Sequence, residues 1–285
     1  MAKIGIIGGS GLYDIEGLQV NQQLTLETPF GQASDQFILG SLAGQEVVFL
    51  PRHGTGHRLL PSELNYRANI YGMKQLGVER IISISAVGSL KQEVKPQDFL
   101  LPDQFIDRTN QARQTTFFGA GVVAHIAFAD PVCPHLSQTV FASGKELGLS
   151  IHPKGTYLNM EGPAFSTRAE SVLYKSWGLD VIGMTNMPEA RLAREAEICY
   201  LTIAMVTDYD CWYAAAETVS VDLIFENMRQ NVEKAKQLIK STVSKIGAPR
   251  NCACATALEH AIVTAPDQIP PEIKQKLSLI IGKYI

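Results

Sequence analysis

Short β-branched runs alternate with longer stretches of helical period along nearly the whole chain, and this alternation permits little other than a sheet covered by helices. The spacing predicts strands at Lys3 to Ile7, Glu46 to Leu50, Arg80 to Ser85, Asp98 to Leu101, Gly155 to Met160, Val181 to Met184 and Leu201 to Thr207. A helix is expected from Leu64 to about Leu76, ending at Gly77, where the left-handed cap conformation carries no Cβ penalty. Thr167 and Glu170 form a capping box that starts another. Pro188 suits the start of a third, Glu189 to about Glu197, because the donor it lacks would be orphaned there. From Ser220 a long helix places Ile224, Met228, Val232, Ala235, Ile239, Val243 and Ile246 on one stripe, and Gly247 and Pro249 end it. Helical patterns follow at Ala253 to Val263 and after Pro271, the second with Ile273, Leu277 and Ile280 as its buried face. No repeat, low-complexity tract or linker divides the chain, so one α/β domain is expected over residues 1–285, with 250–285 as a C-terminal helical tail.

Charge narrows the function classes. Twenty-five Lys and Arg against 28 Asp and Glu leave a formal charge of -3, and no basic block occurs, which argues against nucleic acid as a partner. The longest apolar runs, Leu201 to Val206 and Val78 to Val87, are too short or interrupted to span a membrane. Ile4 to Ile7 runs directly into Gly8 and Gly9 without a leader, and five cysteines suggest no disulfide framework, so the expected location is a reducing cytoplasm. Cys252 and Cys254 form a Cys-x-Cys pair. With Cys133, Cys199 and Cys211 in unrelated segments, the expectation is free thiols in a helix, with a strained redox-sensitive disulfide as the alternative and no metal.

Several strand ends carry chemistry. Gly8-Gly9-Ser10-Gly11 follows the first strand, where backbone amides could face an anion. A dinucleotide fingerprint would need a third glycine where Asp14 stands, and no P-loop Lys follows; a ligand-free tight turn remains open. Arg52 and His53 follow the strand ending at Leu50 and offer donors suited to phosphate, against the alternative of a surface loop with a salt bridge. His53 and His57 have zinc-pair spacing, but Gly54 and Gly56 disfavour the helix that such a pair needs. Asp208 and Asp210 end the strand Leu201 to Thr207; in an extended chain they share one side, as an acid and an anchor for a nitrogen-rich ring or as solvated loop acids. Phe165 and Met184 also lie at element ends, where each could equally be core.

Gly8-Gly9-Ser10-Gly11, Arg52-His53-Gly54 with Pro61-Ser62 and Asn65-Tyr66-Arg67-Ala68-Asn69, Ser85-Ala86-Val87-Gly88-Ser89, Glu161-Gly162-Pro163, Met184-Thr185 and Thr207-Asp208-Tyr209-Asp210-Cys211-Trp212 occur in that order. Together they closely resemble the trimeric purine nucleoside phosphorylase family, in its methylthioadenosine-cleaving form, over roughly residues 3 to 246. The resemblance implies a single domain with a central mixed sheet flanked by helices. It also implies phosphorolysis of methylthioadenosine to adenine and 5-methylthioribose 1-phosphate, with phosphate as co-substrate and no metal or organic cofactor. By similarity Ser10, Arg52, His53, Ser85, Ala86 and Thr185 hold phosphate. Phe165, Ser166 and Met184 line the base and ribose, Asp208 protonates or hydrogen-bonds the purine N7, and Asp210 holds the 6-amino group. Burial beneath Phe165 and Trp212 is expected to raise the Asp208 pKa. Val221 stands where relatives that prefer a 5'-hydroxyl carry histidine, with Ile224 beside it. His125 matches a position that reaches the neighbour's 5'-substituent pocket, which implies a homotrimer or a hexamer of paired trimers. Ser10 and Ser85 stand where the family often has Thr, and Val87 where some relatives have a small or sulfur-containing residue. The competing readings are a 6-oxopurine or methylthioinosine phosphorylase, a nucleotide-dependent oxidoreductase, and a non-catalytic purine-binding protein.

Overall fold

The structure is a computed structural model that describes residues 3–9, 12, 14–110, 113–213, 221–247 and 249–285; the side chains of 221–225 also lie outside that description. Its centre is four mutually parallel strands, β1 (Lys3–Gly8), β4 (Gln45–Pro51), β5 (Val78–Ser89) and β11 (Cys199–Tyr209). Alternate residues of these strands go to opposite faces, as the period of two requires. Ile4, Ile6, Val47, Phe49, Ile82 and Ile84 enter one core. Ile7, Val48, Leu50 and Ile81 enter the other.

Helices seal both faces. On the first lie α2 (Pro134–Glu146), through Leu136 and Val140, and α5 (Val221–Val243), through Ala235, Leu238, Ile239 and Val243. On the second lie α1 (Tyr66–Gln75) and α4 (Asn186–Glu195). Gly77 ends α1 with φ +78°, as expected of its cap position. The helix α3 (Arg168–Ser176) starts with the complete Thr167/Glu170 capping box.

Among the described residues eleven strands form one mixed sheet, because antiparallel pieces extend the parallel centre. β2 (Gln19–Leu24) and β3 (Phe37–Leu42) form a hairpin beyond β4. Past β5 come β10 (Val181–Gly183), β9 (Thr156–Met160) and β7 (Gln104–Arg108). β11 branches from β5 and leads to β6 (Phe99–Leu100) and β8 (Ile151–His152). The sheet therefore splits at β5, which pairs with β1 through residues 78–83 and with β10 through Gly88 and Ser89.

The tail departs from its expected form. Between Ala253 and Val263 only Ala253–Thr256 forms a short 3-10 turn. Long-range partners take the backbone groups a helix would have used. His125 N–H donates to Ala261 O, Val263 N–H to Val123 O, and Leu258 N–H to the Glu197 carboxylate. Further on, α6 (Pro271–Lys276) and α7 (Ser278–Ile281) bury Leu277, Ile280 and Ile281 in the second core.

Candidate active site

Because β1, β4, β5 and β11 are parallel, their carboxyl ends meet at one edge of the sheet, where α/β proteins collect ligands. Ser10 lies outside the described residues, but the strand ahead of it ends at this edge, and Arg52 N–H donates to Gly8 O at 2.9 Å.

The Arg52 side chain differs from its expected role. Its guanidinium is almost fully buried and pairs edge-on with Glu189, Nε to Oε1 at 2.9 Å and Nη2 to Oε2 at 3.1 Å. Nη2 also donates to Ser83 Oγ at 2.6 Å, and Nη1 to Ile84 O at 2.8 Å. Ser83 Oγ and Tyr200 OH both donate to Glu189 Oε2 at 2.7 Å. A charge so far from water must be neutralised locally, and Glu189 takes the face of the fork that a phosphate would otherwise engage. Only Nη1 has a hydrogen left, so Arg52 acts here mainly as a rigid support for the strand ends.

His53 follows directly. Its Nδ1–H donates to Leu59 O at 2.8 Å, and the ring stacks on His57 with centroids 4.3 Å apart. Burial, aided by the Arg52 charge, lowers its pKa to about 4. The imidazole is thus neutral near pH 7, with Nε2 a bare acceptor suited to the proton of a hydrogen phosphate.

Ser85 and Thr185, 100 positions apart, come together as expected, with Oγ and Oγ1 at 3.5 Å. Tyr157 OH lies 3.1 Å from Ser85 Oγ and completes a buried hydroxyl cluster. Thr185 immediately precedes Asn186, but the backbone is extended at Met187 and the regular turns of α4 begin only at Pro188, as the sequence suggested; the Thr185 hydroxyl caps no helix and stays available to the cluster. Ala86, half-buried on β5, is adjacent to Ser85. Two residues the sequence did not single out brace this region. Arg113 is buried and donates to Glu161 Oε1 and to the carbonyls of Glu161, Met184 and Met187. Asn159 Oδ1 accepts from Met187 N–H. No local motif marks either one, because their partners are distant in sequence and mostly main-chain atoms.

The acids lie at the end of β11. A register shift after Val206 sets Asp208 opposite Gly88. A Cβ on Gly88 would lie 3.5 Å from Asp208 Oδ2 and 3.4 Å from Asp210 Cβ, so both acids lean over one glycine, on the same side as the alternation required. Burial pushes the Asp208 pKa up to about 6, opposed by the Thr207 hydroxyl, which donates to Oδ1 at 2.6 Å, and assisted by the Asp210 charge. Asp210 is also raised by burial, and its Oδ2 is buried with no hydrogen-bond partner.

The direction of the Asp208 shift and its cause, burial, are as expected; Phe165 as the cover is not. Phe165 is 73% exposed and covers nothing, because the loop between β9 and α3 carries it away from the core. Trp212 is half-buried, donates from Nε1 to Ser89 O and lies under Lys175. Ser166 stays beside the acids, since its carbonyl accepts from Cys211 Sγ and its hydroxyl neighbours Asp210. Met184 is half-buried, with Sδ at 2.5 Å from where a Cβ on Gly162 would stand. His125 is exposed on the segment paired with the tail, and its ring makes no hydrogen bond among the described residues. The side chains of Val221 and Ile224, on the first turns of α5, lie outside the described residues.

A buried hydroxyl cluster, a neutral histidine and a raised acid pair on one sheet edge agree with the family model that matches residues 3–244, the phosphorylase superfamily. The chain belongs to the phosphorylase superfamily. Within it, the chain is 61% identical over 282 residues to the S-methyl-5'-thioadenosine phosphorylase of Geobacter sulfurreducens, covering 99% of each. It is 56% identical to that of Koribacter versatilis, covering 99% of this chain and 97% of the relative. Among solved structures, a methylthioadenosine phosphorylase from an antarctic soil metagenomic library superposes with a TM-score of 0.93 at 48% identity, covering 98% of both chains. A variant adenosine/methylthioadenosine phosphorylase of Schistosoma mansoni in complex with methylthioadenosine superposes at 0.83 with 33% identity, covering 99% of this chain and 98% of that one. The single mixed α/β sheet flanked by helices is thus the fold of this superfamily. No helix among the described residues is long and apolar enough to cross a membrane.

Proposed function

We propose that this phosphorylase cleaves S-methyl-5'-thioadenosine with inorganic phosphate, giving adenine and 5-methylthioribose 1-phosphate. The observation that carries the reading is Asp208, a carboxyl held near pKa 6 beside Asp210 at the sheet edge that also holds the Ser85 and Thr185 hydroxyls. Phosphate oxygen attacks the anomeric carbon as its bond to N9 breaks, and the bonding pair passes into the purine. A protonated Asp208 neutralises that charge by donating to N7, and Asp210 accepts from the 6-amino group. A 6-oxopurine would present an acceptor there, which a carboxylate repels, so the 6-oxopurine and methylthioinosine alternatives fit less well.

Ser10, Ser85, Thr185, the amide near Ala86 and His53 Nε2 hold the phosphate, with Arg52 contributing its remaining Nη1 hydrogen. Met184, Ser166 and Phe165 line the nucleoside. Val221 and Ile224 form the apolar wall for the methylthio group. The exposed apolar side chains of Val172, Leu173 and Trp177 support self-association, and the family resemblance makes that assembly a homotrimer with His125 offered to a neighbouring site; pairing of trimers would make a hexamer. The enzyme needs no cofactor and works in the cytoplasm. Chromatography of methylthioadenosine, adenosine and inosine incubated with and without phosphate tests the proposal. Phosphate-dependent adenine release fastest from methylthioadenosine is expected; tight binding without turnover would make the protein a purine binder instead.

A further inference from the structure

The cysteines expected in unrelated segments converge. Cys133 is the N-cap of α2, Cys199 opens β11, and Cys252 and Cys254 flank Ala253 at the 3-10 turn of the tail. Their four Sγ atoms all lie within 4.8 Å of one another. Three of the four residues are buried, and all are thiols. The chain reaches this arrangement only because the tail folds back onto the start of β11, where Cys199 Sγ comes within 3.3 Å of Cys252 Sγ.

We propose that Cys133, Cys199, Cys252 and Cys254 form a structural tetrathiolate site for a zinc ion. Zn–S bonds of about 2.3 Å place the sulfurs of a tetrahedron about 3.8 Å apart, which is the scale of this cluster. Two disulfides would need only two close pairs; here every sulfur is close to every other. Four protein ligands leave no open position, the mark of a structural site rather than a catalytic one. Position says the same. Asp208 is nine residues further along β11, about 30 Å away at the rise of a strand.

The surroundings suit the charge. Four thiolates around a divalent ion carry a net double negative charge, and the thiol protons leave to solvent as the ion binds. Cys133 lies at the N-terminus of a 13-residue helix, whose dipole favours a thiolate. A cleft of about 310 Å³ opens onto Cys133, Cys199 and Cys252 and is bordered by Arg80, Lys245 and Arg250, which gives an ion a way in and sets cations near the finished centre. The superfamily match ends at residue 244, so the Cys-x-Cys half of the site lies in the tail beyond it. The bound ion would pin that tail to β11 and α2.

The test uses the full-length protein, purified without metal resin or chelator. Elemental analysis should find about one zinc per chain, and replacement by cobalt should give the visible spectrum of a tetrahedral thiolate complex. Cys252→Ser and Cys254→Ser should lower the zinc to background, while Cys211→Ser, outside the cluster, retains it. Intact mass and alkylation under denaturing, non-reducing conditions read the alternatives. Metal-free protein with four alkylatable cluster thiols that takes up neither zinc nor cobalt would overturn the proposal, as would a mass lowered by disulfides. Should the serine variants fail to fold, the zinc content and cobalt spectrum of the unmodified protein decide.

Discussion

Replacing Asp208 by Asn should lower activity while raising stability. A carboxyl that titrates at about 6 instead of 3.8 is protonated in roughly a tenth of molecules at pH 7, against fewer than about one in a thousand for an unperturbed one. The environment thus enriches the acid form about a hundredfold, equivalent to about 3 kcal/mol. Raising the folded pKa means that the native state holds more protons between pH 3.8 and about 6. Stability from this group is therefore complete below the lower value and is lost as pH rises through the upper one. Asparagine cannot ionise, so the variant should gain up to about 3 kcal/mol at pH 8 and little at pH 4. Its specificity constant for methylthioadenosine should fall about two to four orders of magnitude, because the N7 proton donor is gone. Preference should also shift toward 6-oxopurine nucleosides. Thermal unfolding at both pH values and pH–rate profiles at saturating phosphate measure this; the ionisation of phosphate is common to both proteins, so the difference between the profiles isolates Asp208. If the variant keeps the alkaline fall of the native profile and its base preference, or is less stable at pH 8, Asp208 is a loop anchor and not the acid.

Glu189→Gln should destabilise the fold by about 3–5 kcal/mol in urea titration, since it leaves the buried Arg52 charge uncompensated; a loss below about 1 kcal/mol would show that the pair is not what holds the strand ends. Ser85→Ala and Thr185→Ala should each raise the KM for phosphate about tenfold or more with nucleoside binding little changed, and an unchanged phosphate KM would remove that hydroxyl from the anion site. His53 has a lowered folded pKa, so between about 4 and 6.5 the unfolded chain binds the extra proton and stability rises with pH. His53→Gln should flatten that rise, which denaturation across the interval would detect. Val221→His should improve the specificity constant for adenosine relative to methylthioadenosine by giving the 5'-hydroxyl a partner, and an unchanged ratio counts against the apolar wall.

The sequence by itself determined the layered α/β class, the positions of the four central strands, the Gly77 cap, the Thr167/Glu170 box and the motifs at the strand ends. Each of these rests on local physics: side-chain period, the conformational freedom of glycine, or a hydroxyl three residues from a carboxylate. β2 escaped notice because it is a polar, solvent-exposed strand without apolar alternation, and α2 because Gly144 interrupts its pattern where Ile151 packs against the helix. Tertiary structure decided what each charge meets. Arg52 read as an open fork, and only burial against a carboxylate 137 residues away commits it to Glu189. Phe165 read as a cover for Asp208, and its loop turns it to solvent. The cysteines read as separate thiols, and the returning tail gathers four of them. Pairings across such separations leave no period in the chain, because they are fixed by the requirement that buried charges and polar atoms find partners once the apolar faces have closed.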